Sequence, residues 1–102
     1  MNNEQNNTFG EWLREQRTAK STGLRTLASS VAISATYLSR IENGHEKAPS
    51  DRVLLAIAGQ LEIKPSLIFK MADRVPVAVQ RHILNNDALL ISLIDEVANA
   101  EQ

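Results

Sequence analysis

Leu24-Arg25-Thr26-Leu27-Ala28-Ser29-Ser30-Val31-Ala32-Ile33-Ser34-Ala35-Thr36-Tyr37-Leu38-Ser39-Arg40-Ile41-Glu42-Asn43-Gly44 is the stretch whose reading decides the fold. Ser21-Thr22-Gly23 breaks the preceding pattern, and a short helix follows to about Val31. Ala32-Ile33-Ser34 reads as a tight turn, with Ser34 placed as the N-cap of a helix from Ala35 to Asn43. Gly44 then supplies the usual C-terminal stop. Two helices joined by so short a turn must cross steeply, and this restricts side-chain size at particular places. Leu27, Val31, Ile33, Leu38 and Ile41 supply apolar positions to seal the crossing, and Ala28 is small where the helices approach. The joint pattern is far more selective than any one of its members.

Outward from this stretch, every segment reads as helix. Met1 to Asn7 is a polar leader, expected to be disordered. Thr8 and Glu11 have the spacing of a capping box, and Phe9 and Leu13 share a helical face with Trp12 beside them. The first helix is therefore expected from Thr8 to about Lys20. Past the loop His45 to Pro49, Ser50 caps a helix in which Val53, Leu54, Ile57, Ala58 and Leu61 recur at helical spacing. Pro65 opens a fifth helix with Leu67, Ile68 and Met71. Pro76 starts a sixth, to about Leu84, and Asn86 caps a seventh from Asp87 to about Ala98. No strand signal and no internal repeat interrupts this order. The fold class is all-α.

Composition narrows the function classes. At 102 residues, with 43% hydrophobic and 23% charged side chains, the chain is long enough for one globular core. No stretch approaches the roughly 20 apolar residues that span a bilayer, and the leader lacks a secretory pattern, so a cytoplasmic location is expected. The absence of cysteine removes disulfides and thiolate zinc sites, and His45 and His82 have no patterned ligands near them. Neither a nucleophile set against a base nor a glycine-rich phosphate loop occurs, so no enzyme and no cofactor are expected. Phe9, Trp12, Tyr37 and Phe69 are too few to stack single-stranded bases. The net charge of −1 hides a mild asymmetry: residues 8–60 carry seven basic against five acidic side chains, and residues 61–102 four against six. That bias alone is weak support for a nucleic-acid partner.

Tyr37-Leu38-Ser39-Arg40-Ile41-Glu42-Asn43-Gly44 resembles the hallmark of the lambda-repressor-like, Cro-type helix-turn-helix regulators. The likeness extends back to Phe9-Gly10-Glu11-Trp12-Leu13 and forward to about Pro65. It implies a five-helix DNA-binding bundle over residues 8–72 whose third helix enters the major groove of double-stranded DNA as part of a dimer. On the matching positions, Ala35, Thr36, Ser39 and Arg40 would face base edges, Arg40 presenting its fork to guanine O6 and N7. Arg25, Ser34, Tyr37, Asn43, His45 and Lys47 would hold phosphates, though each taken singly is equally readable as solvated surface. Arg17 and Glu42 would form a partly buried structural ion pair. Two positions depart from the family's pattern. Ala32 stands where glycine is usual, and Leu24 stands where a glutamine usually touches phosphate.

Beyond Pro65 the resemblance weakens. Residues 73–102 read as a helical hairpin with an apolar stripe (Leu90, Ile94, Val97) and a second beside it (Leu89, Leu93). This face is wider than a five-helix bundle needs to cover, which points to homodimerisation, with folding back onto the chain's own bundle as the other reading. The function expected is a dimeric repressor of an inverted-repeat operator. Two alternatives stand beside it: an antitoxin that represses its own operon and neutralises a toxin through the C-terminal helix, and an interaction module that does not read DNA.

Overall fold

The structure, a computed structural model, describes residues 8–101. The leader lies outside the described residues, as does the Thr8 side chain on which the expected capping box rests. Seven helices follow in chain order: α1 (Thr8–Ala19), α2 (Leu24–Ser30), α3 (Ala35–Glu42), α4 (Asp51–Leu61), α5 (Pro65–Met71), α6 (Val77–Leu84) and α7 (Asp87–Ala100). The described residues contain no strand. The expected order and type of every element are present, with ends displaced by one or two residues where caps fray into turns.

Local chemistry explains the starts. Ser34 accepts a hydrogen bond from the Tyr37 backbone N–H at 3.0 Å, and Ser50 accepts one from Val53 at 3.4 Å. Asn86 does the same for Leu89 at 3.1 Å. Each satisfies one of the N–H groups that a helix leaves without an internal partner. Pro65 occupies the first turn of α5, where its missing N–H is no loss.

The core lies among α1 to α5. Leu13, Leu27, Leu38, Leu54, Ile57, Leu61 and Ile68 are fully buried, and Ala28, Ile41 and Phe69 nearly so. Each large side chain withdrawn this way contributes roughly 1.5–3 kcal/mol of transfer free energy. α2 packs on α3, α1 on α3, and α4 on both α5 and α2. These five helices form the bundle. Residue Gly10 sits where α1 passes α3, and a Cβ built there would lie 2.7 Å from the Glu42 carbonyl oxygen and closer still to that of Ile41. Only glycine permits that approach.

The hairpin α6–α7 stands apart. Its two helices pack on each other, and neither has a buried residue. The radius of gyration is 16.1 Å, against about 13 Å for a compact chain of this length. The hairpin buries no side chain of its own, although Ala78 and Val79 of α6 border an apolar cavity shared with Leu55 of α4 and Phe69 of α5.

Candidate nucleic-acid interface

The turn between α2 and α3 is built as a Schellman motif. Ala32 has φ 62°, its N–H bonds to the Ser29 carbonyl at 3.2 Å, and the Ile33 N–H reaches the Ala28 carbonyl at 3.0 Å. Alanine therefore adopts the left-handed conformation that glycine takes more cheaply. The turn delivers Ser34 as the cap of α3, and α3 buries Leu38, Ile41 and Glu42 on its inner side. Its other side is left outward. Ala35, Thr36, Ser39 and Arg40 lie there and border one shallow depression of about 280 Å3, together with Leu24 and Arg25 from the start of α2. The four residues read as base-facing are thus brought together with one of those read as phosphate-facing.

Leu24 is half-buried and packs against the edge of the core. It fills space where a longer polar side chain would reach outward. Asn43 caps the end of α3 and donates from Nδ2 to Ser39 Oγ at 3.2 Å, holding that hydroxyl in place. Gly44, at φ 80°, closes the helix through bonds from its own N–H to Ile41 and from His45 to Arg40. Tyr37 is half-buried, and His45 is exposed. Lys47 borders a different depression, shared with Phe9, Gly44 and Met71 on the α1–α5 side.

Arg40 is exposed but engaged. Its Nε donates to Glu46 Oε2 at 3.3 Å, and Nη2 donates to the His45 carbonyl at 3.4 Å. The side chain is folded toward the loop after α3, so a base contact requires it to leave Glu46. Such an exposed pair is worth only about 0–1 kcal/mol, a small barrier beside the gain from a bidentate guanine contact.

Beneath this surface Arg17 and Glu42 tie α1 to α3. Arg17 Nε meets Glu42 Oε2 at 2.7 Å, Nη2 meets Oε1 at 2.9 Å, and Nη1 donates to the Thr22 carbonyl at 3.0 Å. The arginine is 9% exposed and the glutamate 4%. The hydrogen bond to Glu42 raises the Arg17 pKa further above its ordinary value, the carboxylate's charge adding to it and burial opposing it.

A second polar cluster was not foreseen from the sequence. Arg74 donates to the carbonyls of Pro49 and, at 3.0 Å, Ala48, and lies 3.5 Å from Asp51 Oδ1. The other oxygen of Asp51 accepts the Val77 N–H at 2.9 Å. Nothing in the local pattern marks these residues, since their partners are 23 to 26 positions away.

The residues proposed for dimerisation divide into two groups. Leu89 and Leu90 are half-buried, while Leu93, Ile94 and Val97 are exposed and border an open depression of about 400 Å3. Ile91, Leu84, Val79 and Val77 extend the exposed apolar surface of the hairpin.

A steeply crossed helix pair that presents a capped, polar-faced helix outward defines the class of helix-turn-helix DNA-binding proteins. A helix-turn-helix family model matches residues 13–68, and the chain belongs to the Cro/C1-type helix-turn-helix family. Among solved structures, the clp gene regulator ClgR from C. glutamicum is 28% identical with a TM-score of 0.57, over 67% of this chain and 87% of that one. The restriction-modification controller protein C.AhdI from Aeromonas hydrophila is 32% identical with a TM-score of 0.57, over 64% and 97%. A SinR–SinI protein complex shares the fold at 17% identity and a TM-score of 0.55, over 92% of this chain and 99% of that one. No curated protein sequence matches the chain. The family makes this protein a DNA-binding transcriptional regulator. No helix among the described residues is long and apolar enough to cross a membrane.

Proposed function

We propose that the protein is a cytoplasmic repressor that binds an inverted-repeat operator in double-stranded DNA as a homodimer. The observation that carries this reading is the grouping of Thr36, Ser39, Arg40 and Arg25 around one outward depression beside a capped helix start. Thr36 and the Ala35 methyl suit thymine and hydrogen-bonding edges, and Arg40 suits guanine. Ser34, Tyr37, Asn43, His45 and Lys47 flank them as phosphate contacts that set register. The exposed apolar hairpin supplies the surface through which two copies meet, each reading one half-site about one helical turn from the other.

Selection from random double-stranded DNA tests the reading. An enriched inverted repeat is expected, bound with an affinity that falls steeply with salt. Arg40→Ala should weaken it by about 10- to 100-fold, the span of a lost bidentate base contact. No enriched sequence, or binding indifferent to Arg40, would count against it.

The breadth of the hairpin's apolar face favours a second reading, in which it also receives a different protein, such as a toxin whose operon this chain represses. Co-purification of a second small protein from the native host, lost when Ile94 and Val97 are made polar, is the outcome that reading requires.

A further inference from the structure

Neither helix of the hairpin buries a residue, and residues 72–76 connect it to α5 beside an apolar cavity that Phe69 and Val79 share. The principal polar attachment is the Arg74–Asp51 cluster. Arg74 emerges from the Schellman end of α5, where Asp73 has φ 58° and the Arg74 N–H bonds to the Phe69 carbonyl at 3.0 Å. Its guanidinium then spans the Ala48 and Pro49 carbonyls and the Asp51 carboxylate. Asp51 turns the attachment toward the hairpin, since its second oxygen holds the first N–H of α6. The same loop runs back to α3, whose Arg40 grips the His45 carbonyl and Glu46. A continuous path therefore joins the DNA-facing helix to the base of the hairpin.

We propose that Arg74, with Asp51, is a positioning residue that sets the angle between the hairpin and the DNA-reading bundle. It thereby sets the half-site spacing that the dimer accepts. The proposal rests on the dimeric reading above. Geometry makes the angle consequential. α6 is roughly 12 Å long at 1.5 Å per residue, so a swing of about 16° at the connection moves the hairpin's tip, where α7 begins, by roughly 3.4 Å. That is about one base-pair step along DNA. A planar fork with several fixed donors can hold such an angle, whereas a lysine ammonium on a flexible stem cannot.

The chain has no cysteine, so spin labels can be placed cleanly at Glu15→Cys on α1 and Ser92→Cys on α7, both exposed. The labelled full-length chain is mixed with excess unlabelled chain, and the intramolecular distance distribution is measured by pulsed electron resonance. A narrow distribution is expected, broadened by Arg74→Ala and by Arg74→Lys. In parallel, the selected inverted repeat is tested with one base pair inserted or removed at its centre. The unaltered chain should lose about tenfold or more in affinity, as one mismatched position would cost it, and the Arg74 variants less than about threefold. If Arg74→Ala does not fold, Arg74→Lys and Asp51→Asn carry both readouts. A distribution that stays narrow in the folded variants overturns the proposal alone, as does broadening with an unchanged spacing profile. Failure of the unaltered chain to enrich any inverted repeat removes the dimeric reading and the proposal with it.

Discussion

Arg17 and Glu42 place two charges largely out of water, and that choice makes stability depend on both. Loss of one partner leaves the other buried without compensation, typically about 3–5 kcal/mol. Arg17→Ala should therefore lower the melting temperature by on the order of 15 °C or more in a thermal scan. Arg17→Met combined with Glu42→Leu should recover most of the loss, because it removes both buried charges while keeping volume. The raised Arg17 pKa means its contribution is complete at all pH values below the ordinary arginine range and is lost only as pH rises through the folded value. No loss from the guanidinium is thus expected through neutral or mildly acidic pH. Glu46 sets a contrasting case at the surface. Its carboxylate engages Arg40, which under the proposed operator reading must leave it to reach a base, so Glu46→Gln should tighten operator binding a few-fold by titration without altering stability. The Arg17–Glu42 pair was what the family resemblance implied, and the Ser34 cap was legible from its own chemistry. Arg74 and Asp51 were not, because their roles arise only when segments far apart in the chain meet.

Helix ends carry the second layer of the fold. Four left-handed residues that are not glycine (Ser21, Ala32, Glu62 and Asp73) end α1, α2, α4 and α5, and Gly44 ends α3. The start signals were readable, since Ser50, Asn86 and Pro65 announce a helix by their own chemistry. The left-handed backbone at Ser21, Glu62 and Asp73 was not, because serine, glutamate and aspartate do not mark a positive φ as glycine does. Ala32 was the exception, exposed by the family's usual glycine. Ala32→Gly should raise stability by about 0.5–1 kcal/mol in denaturant titration, the relief of left-handed strain less glycine's added freedom when unfolded. Gly10 and Gly59 then test what a methyl group meets. At Gly10 it meets the backbone of α3, so Gly10→Ala should cost about 3 kcal/mol or prevent folding. At Gly59, inside α4, it meets open space, so Gly59→Ala should stabilise by roughly 0.5–1 kcal/mol. Equal effects at the two sites would contradict the close α1–α3 crossing.

The bundle holds the buried core, and the hairpin buries no residue, so a change on the hairpin's apolar face acts on a part of the molecule that the core does not need. Periodicity showed the apolar face of α7 to be wider than the bundle needs, but not that the hairpin buries none of its residues. That depends on the angle at residues 72–76, which no local pattern encodes. Ile94 and Val97 are 55% and 56% exposed, so Ile94→Asp with Val97→Asp should leave the melting temperature of the bundle nearly unchanged. The same change should convert a dimeric mass into a monomeric one by sedimentation at micromolar concentration. Operator affinity should then drop more than tenfold, while weak binding to a single half-site persists. Salt gives an independent separation of the two surfaces. α7 carries Asp87, Asp95 and Glu96 and no basic side chain, so pairing it with its own copy brings like charges together. Added salt should screen that repulsion and tighten the dimer, while it weakens binding to DNA through counterion uptake. A dimer that loosens with salt in step with DNA binding would place the contact between copies on an oppositely charged surface, away from α7.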